Sequence, residues 1–234
     1  PAELDWVIVR ENTEGEYSGA GGRVHPKLPQ EVGIDVSVFT RDGIERVMRY
    51  AFELALTRPK KQLTLVTKSN AQRHGMVLWD EVFENLKHDF PGITTDKMLV
   101  DAITTRMVLQ PQSLDTIVAT NLHADILSDL AAALSGSLGI GPTANINPER
   151  TFPSMFEPIH GSAFDLVGKD LANPLGAFWS CVMMLENLQE KKGASLLMSA
   201  IEEVCQEGRH LPKDLGGNSC TGEVTTAVCA ALKK

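Results

Sequence analysis

Thr116-Ile117-Val118-Ala119-Thr120-Asn121-Leu122-His123-Ala124-Asp125-Ile126-Leu127-Ser128-Asp129-Leu130 changes its hydrophobic period part-way along. Thr116 to Ala119 is a short β-branched run and predicts a strand. Beyond it, Ile126, Leu127 and Leu130 anchor one side of a helix, while Asp125 and Asp129, four apart, project from a common face. A strand running straight into a helix is the core of a βαβ unit. In open α/β sheets ligands sit at the carboxyl ends of the strands. The segment therefore points to an architecture and, in the same place, to a position for chemistry.

The rest of the chain repeats the pattern. Asp5 to Val9, Ile34 to Phe39, Gln62 to Thr67 and Met98 to Val100 read as further strands. Between them run amphipathic stretches. In Asp42 to Leu56 the residues Ile44, Val47, Met48, Ala51, Phe52 and Ala55 form one stripe, and Val82, Phe83, Leu86 and Phe90 form another. Alternating strands and helices predict an α/β fold with a mostly parallel sheet. From Pro174 onward three helices are expected without strands: Leu175 to Glu190, Ala194 to Glu207 and Glu223 to Lys233. Gly193 and Gly208 are their expected stops and Thr221 the expected N-cap of the last. Helices of that kind need a sheet made elsewhere to cover. Gly15 to Gly33, rich in Gly and Pro, reads as an extended arm or loop.

Composition narrows the classes of function. Lys plus Arg is 22 and Asp plus Glu is 30, a net charge of −8 with no basic block, which argues against nucleic acid as a partner. No apolar run is long enough to span a membrane, so no membrane association is expected. Cys181, Cys205, Cys220 and Cys229 form no C-x-x-C pair and read as buried, reduced thiols of a cytoplasmic protein.

Several side chains are placed for catalysis. Two like charges at i, i+4 repel unless something positive neutralises them, so Asp125 and Asp129 fit a hard divalent cation, Mg²⁺ or Mn²⁺. On spacing alone a solvated acidic helix face serves as well. Asp101 follows the Met98 to Val100 strand and is either a third oxygen ligand or a helix cap. Lys68 closes the Gln62 to Thr67 strand; beside a cation it becomes a usable base, and elsewhere it is surface charge. Arg10 suits bidentate recognition of a substrate carboxylate, and Tyr17 can deliver a proton. Gly19-Ala20-Gly21-Gly22 lacks the flanking strand and helix of a dinucleotide loop and is set aside. Glu157-Pro158-Ile159-His160-Gly161-Ser162-Ala163-Phe164-Asp165 offers a turn that a ligand can approach closely, with Asp165 as an acceptor for a ribose hydroxyl.

Four motifs in register carry a resemblance: Arg10-Glu11-Asn12-Thr13-Glu14-Gly15-Glu16-Tyr17-Ser18-Gly19, Val66-Thr67-Lys68-Ser69-Asn70, Asn121 to Leu130, and Glu157 to Asp165. Together they resemble the isocitrate and isopropylmalate dehydrogenase family. Lys68 to Met76, Asn121 to Asp125 and Phe152 to Phe156 look closest to its tartrate and D-malate dehydrogenase branch. The resemblance implies a two-domain fold. Residues 1–128 would be the dimer-forming, metal- and substrate-binding domain with an arm near 18–38, and 129–234 the returning half of the cofactor domain. It also implies that the family's opening third is missing from this chain, as in a fragment or truncated gene product. Implied roles are Asp101, Asp125 and Asp129 for metal, Arg10 for the substrate carboxylate, Lys68 for hydroxyl deprotonation and Tyr17 for protonation of the enol. Asn70 would lie on the nicotinamide side, and His160, Gly161, Ser162, Ala163, Asp165 and Asn173 on the adenosine side, with Asp165 favouring NAD over NADP. The implied activity is NAD- and Mg²⁺- or Mn²⁺-dependent oxidation and decarboxylation of a small hydroxy-dicarboxylic acid, D-malate or tartrate. It would take place in a homodimer whose subunits exchange Lys68 and Asp101. The alternatives are isocitrate or isopropylmalate specificity, or a non-catalytic dimerisation module.

Overall fold

A computed structural model describes residues 4–234. The chain divides into two compact units, Pro1–Ala131 and Ala132–Lys234.

In the first unit β1 (Val7–Arg10) leads into a two-stranded antiparallel ribbon, β2 (Gly15–Val24) and β3 (Val32–Val38). There follow α1 (Arg41–Thr57), β4 (Gln62–Thr67), α2 (Gly75–Leu86), β5 (Thr94–Leu99), α3 (Val100–Leu109), β6 (Thr116–Ala119) and α4 (Asn121–Ser135). Strands β1, β6, β4 and β5 lie side by side in that order, all parallel. The predicted α1 stripe is the core: Ile44, Met48, Ala51, Phe52 and Ala55 are fully buried, and Phe52 stacks on Phe83 and Phe90 at 5.4 and 4.8 Å between ring centres. Leu63 and Leu65 of β4 join this α1–α2 cluster. Val66, on the opposite face, is equally buried, as a parallel sheet requires.

Two readings of the first unit need correction. The strand expected at Asp5 begins only at Val7. The Met98 strand starts earlier, at Thr94, and ends at Leu99, so Asp101 lies in the first turn of α3 rather than at a strand end or in the cap, which is Leu99. The segment 15–33, expected as an extended arm or loop, is an extended ribbon: strand over Gly15–Val24 and again from Val32, with a turn between them. Gly21 is required there, because a β-carbon would stand 2.1 Å from the Ile34 carbonyl oxygen. The ribbon exposes Val32, Ile34, Val36 and Val38, an apolar row on one face. The Gly19–Gly22 run sits within it, far in character from a strand-to-helix turn.

The second unit holds an antiparallel hairpin, β7 (Pro142–Asn145) and β8 (Met155–Pro158), and the helices α5 (Leu175–Asn187), α6 (Lys191–Glu207) and α7 (Thr221–Ala231). α5 packs on both strands of the hairpin. Leu197, Ala200, Ile201 and Val204 of α6 meet Leu175, Val182, Val224 and Val228 in its core. Gly193 does not end α5: it falls in the first turn of α6, and the chain turns instead at Gln189, where φ is +65°. Gly208 closes α6 in a left-handed conformation, as expected. The N-cap of α7 is Cys220, not Thr221; Glu223 reaches back to accept from the Cys220 amide at 2.9 Å. The cysteines are free thiols but are not buried. Cys181, Cys205 and Cys229 are exposed, because each lies one residue from the buried stripe (Cys205 beside Val204, Cys229 beside Val228). Among the described residues no helix is long and apolar enough to cross a membrane.

Candidate active site

Parallel pairing of β1 with β6 sets Arg10 opposite Ala119, so both strands end beside the first turn of α4. Arg10 spans that turn. Its Nε and Nη2 donate to Asn121 Oδ1 at 2.9 and 2.7 Å, and its Nη1 donates to Asp125 Oδ1 at 2.5 Å. The Tyr17 hydroxyl donates to the other oxygen, Asp125 Oδ2, at 3.2 Å, and the guanidinium carbon lies 5.6 Å from the Tyr17 ring centre. Loss of water around the ring, and then the Asp125 carboxylate, raise the Tyr17 phenol above its ordinary pKa, so it remains a proton donor. Three of the expected residues thus meet on one carboxylate. Asp129, one turn further along α4, is exposed and has no partner among the described residues.

The acidic motif between Arg10 and Tyr17 does structural work that its sequence did not suggest. Glu11, buried, accepts from the Thr13 amide and hydroxyl at 2.7 and 2.5 Å. Glu14 accepts from the Thr40 amide and hydroxyl at 2.9 and 2.8 Å, bracing the N-cap of α1. Glu16 accepts from the Thr120 hydroxyl at 2.7 Å and the Leu122 amide at 3.2 Å. The only hint in the sequence was three glutamates within six residues, which read more readily as solvated charge. Asn121 is a second omission: its Oδ1 orients Arg10 while its Nδ2 donates to the Glu14 carbonyl at 3.1 Å. His123 is buried, its Nδ1 has no hydrogen-bond partner among the described residues, and burial lowers its pKa, with Glu16 opposing and Lys68 reinforcing the shift.

Lys68 and Asp101 form a second cluster. Lys68 follows β4, its carbonyl accepting from the Ala71 and Gln72 amides at 2.9 Å, and its ammonium pairs with Asp101. That hydrogen bond holds the Asp101 carboxyl below the usual carboxylate range. Ser69 donates to Asp80 at 2.9 Å, and Asn70 is exposed at the turn. Among the described residues no three acidic, histidine or cysteine side chains gather as a metal site. Within one chain, therefore, Asp101 belongs with Lys68 and not with Asp125 and Asp129. The Asp125–Asp129 pair fits a hard divalent ion as a partial, all-oxygen set. Asp125 already holds a cation, Arg10, against one oxygen, and Asp129 is open to solvent.

In the second unit His160 to Asp165 follow β8. Gly161 and Ala163 both have left-handed backbone, with φ +67° and +40°, and Ser162 and Asp165 are exposed. His160 Nδ1 lies 2.8 Å from the Gly161 carbonyl oxygen. Asn173 stands apart from this loop in character. It is buried, donates to Asp214 at 2.9 Å, and accepts from the Leu175 amide at 2.9 Å, so its amide ties the start of α5 to Asp214.

The profile of the isocitrate/isopropylmalate dehydrogenase family matches residues 1–230. A probable tartrate dehydrogenase/decarboxylase of Agrobacterium vitis is 66% identical over 232 residues, covering 99% of this chain and 64% of that protein. The D-malate dehydrogenase (decarboxylating) of Escherichia coli is 49% identical over 237 residues, covering 99% and 65%. Among solved structures, isocitrate dehydrogenase from Methylococcus capsulatus superposes with a TM-score of 0.92 at 38% identity, covering 99% of this chain and 68% of that one. The chain spans about 64% of the length of the tartrate dehydrogenase relative. A match over nearly every residue, joined to the parallel sheet and the arginine–aspartate corner at its strand ends, means that the chain belongs to the isocitrate/isopropylmalate dehydrogenase family.

Proposed function

We propose that the chain is part of a dehydrogenase that oxidises and decarboxylates a small 2-hydroxy dicarboxylic acid, D-malate or tartrate, using NAD and Mg²⁺ or Mn²⁺. The observation that carries this reading is the convergence of Arg10 and Tyr17 on Asp125 at the ends of two parallel strands. The choice of substrate class rests on the tartrate and D-malate relatives being more similar than the isocitrate dehydrogenase.

In this reading Asp125 and Asp129 hold the divalent ion, with Asp101 supplied by a partner subunit. When bound, the ion contributes Lewis-acid polarisation of the substrate hydroxyl and carboxylate oxygens, and NAD the hydride acceptor. Arg10 turns its guanidinium from Asp125 to a substrate carboxylate, a bidentate match. Lys68 assists deprotonation of the substrate hydroxyl, with Asp101 fixing its position. Tyr17, kept protonated beside Asp125, gives its proton to the enol carbon after CO₂ has left. Asn70 contacts the nicotinamide side. His160, Gly161, Ser162 and Ala163 receive the adenosine, and Asp165 accepts from a ribose hydroxyl and repels a 2′-phosphate. Asn173, at the start of α5, lies on the adenosine side. A homodimer supplies the shared residues. The exposed valine and isoleucine row of the β2–β3 ribbon supports this, because an isolated two-stranded ribbon is marginally stable in water. Four free thiols are consistent with the cytoplasm.

The test is calorimetric titration of Mn²⁺ into the protein and its Asp125→Asn variant. Loss of a direct oxygen ligand is expected to weaken binding at least as much as the roughly 100-fold reached when a supporting partner is lost. Equal affinities would remove the reading.

A further inference from the structure

Glu16 occupies a position that α/β proteins often leave to a ligand. The amino end of a helix following a parallel strand presents unpaired amides and a partial positive charge, and so attracts anions. α4 follows β6 in this way and runs for 15 residues. Part of its first turn is satisfied from within the chain. Thr120, the residue between strand and helix, accepts from the His123 amide through its hydroxyl at 3.3 Å and from the Ala124 amide through its carbonyl at 2.9 Å. The Leu122 amide donates to Glu16 Oε2 at 3.2 Å. Glu16 Oε1 accepts from the Thr120 hydroxyl at 2.7 Å, so one carboxylate closes the turn at two points.

The next residue on the same strand is Tyr17, which reaches Asp125 one turn deeper in the same helix. β2 therefore grips α4 twice in succession, at its amino end through Glu16 and at Asp125 through Tyr17. Arg10 grips it from β1 at Asn121 and Asp125. Removal of Glu16 frees the first turn of α4 to shift against the two strands that carry Arg10 and Tyr17.

We infer that Glu16 is a positioning residue with two effects. It fixes Asp125 and Asp129 relative to Arg10 and Tyr17, and its carboxylate fills the anion-attracting end of α4, leaving Arg10 as the cation that receives a substrate carboxylate. The first effect rests on the proposed metal site; the second stands on the helix geometry alone.

The experiment compares the protein with Glu16→Ala and Glu16→Gln in two titrations. In the first, sulfate is added while the Leu122 amide is followed by NMR. Glu16→Ala is expected to show a saturable shift there as sulfate enters the vacated turn, and the unaltered protein none. In the second, Mn²⁺ affinity is measured by calorimetry on the folded fraction. Glu16→Ala is expected to weaken it roughly 10-fold, as loss of a supporting partner does. Glu16→Gln, which keeps an oxygen acceptor, is expected to recover most of that loss. A merely structural glutamate would lower the melting temperature and leave the Mn²⁺ affinity of the folded protein unchanged. If Glu16→Ala does not fold, Glu16→Gln decides alone: its lost charge then predicts a measurable sulfate shift that the unaltered protein lacks. No sulfate response in any folded variant overturns the inference. If the unaltered protein itself binds no Mn²⁺, the metal site is wrong, and the sulfate arm still judges the role of Glu16 at the helix.

Discussion

The corner at Arg10 and the loop at His160–Asp165 are both candidate binding elements, and they are built in opposite ways. In the corner each side chain has named partners. Arg10 is held by Asn121 and Asp125, Tyr17 by Asp125, and the helix beneath them by Glu16 and Thr120. In the loop, Ser162 and Asp165 are exposed and have no side-chain partner among the described residues; its shape comes from two left-handed backbone positions. A corner held by directed, charge-assisted bonds responds steeply when one side chain is removed. A loop shaped by backbone responds weakly to its side chains, mainly through charge.

The sharpest test of that contrast is Arg10→Ala. It is expected to weaken D-malate or tartrate binding roughly 100-fold, the worth of about two charge-assisted hydrogen bonds, while Mn²⁺ alone binds no more weakly because its competitor for Asp125 is gone. Equilibrium titration of each ligand separates the two effects. A loss of only a few-fold for the acid would break the contrast at its stronger end. Next in size, Asp165→Lys is expected to shift the ratio of NAD to NADP dissociation constants roughly 10-fold toward NADP, as reversal of one exposed charge near a phosphate allows. An unaltered ratio would take Asp165 out of the ribose contact. The smallest effect is expected from Thr40→Ala. Thr40 caps α1, accepting from the Gly43 amide at 3.0 Å while bonded to Glu14. Its loss should cost about 1 kcal/mol in denaturant unfolding and leave Mn²⁺ affinity of the folded protein intact. Were Mn²⁺ binding to fall as well, the order of the corner would extend through Glu14 to α1, and the corner would be less self-contained than its bonds suggest.

What could be read from the sequence was what repeats locally. The Thr116–Leu130 strand and helix, the α1 stripe and the Gly208 stop all follow from periods and backbone preferences spanning a few residues. What escaped notice depends on partners distant in the chain. Glu16 looks like solvated charge until Thr120, 104 positions later, is placed beside it. Asp101 was placed at a strand end because β-branched and apolar residues run into it without a break, yet the helix begins at Val100. Cys220 escaped as a cap because cysteine is a weak acceptor, and its role depends on Glu223 closing the box from the other side. The segment 15–33 reads only as an extended arm or loop because glycine suppresses strand signals even where, as at Gly21, close approach of a neighbouring backbone demands it. The metal set is a different case: the resemblance assigns Asp101 to the site of a partner subunit, and within one chain Asp101 is paired with Lys68.

The pairing of β1 with β6 has a consequence in time. Among the described residues β1 pairs in its sheet with β6 alone, and Arg10 meets Asn121 across 111 positions of chain. As the protein is synthesised, Arg10 emerges long before Asn121 and Asp125 exist. The α1, β4, α2 and β5 elements, each close in sequence to the next, have all been made in the interval. The entropy of closing so long a loop grows only with the logarithm of its length, about 0.6 kcal/mol for each doubling, so the arrangement costs little stability. Its cost is delay, because contacts of high sequence separation slow folding. Among the described strands of this sheet β1 is made before β4, β5 and β6, and the corner that holds Asp125 is complete only when β6 and α4 have followed it.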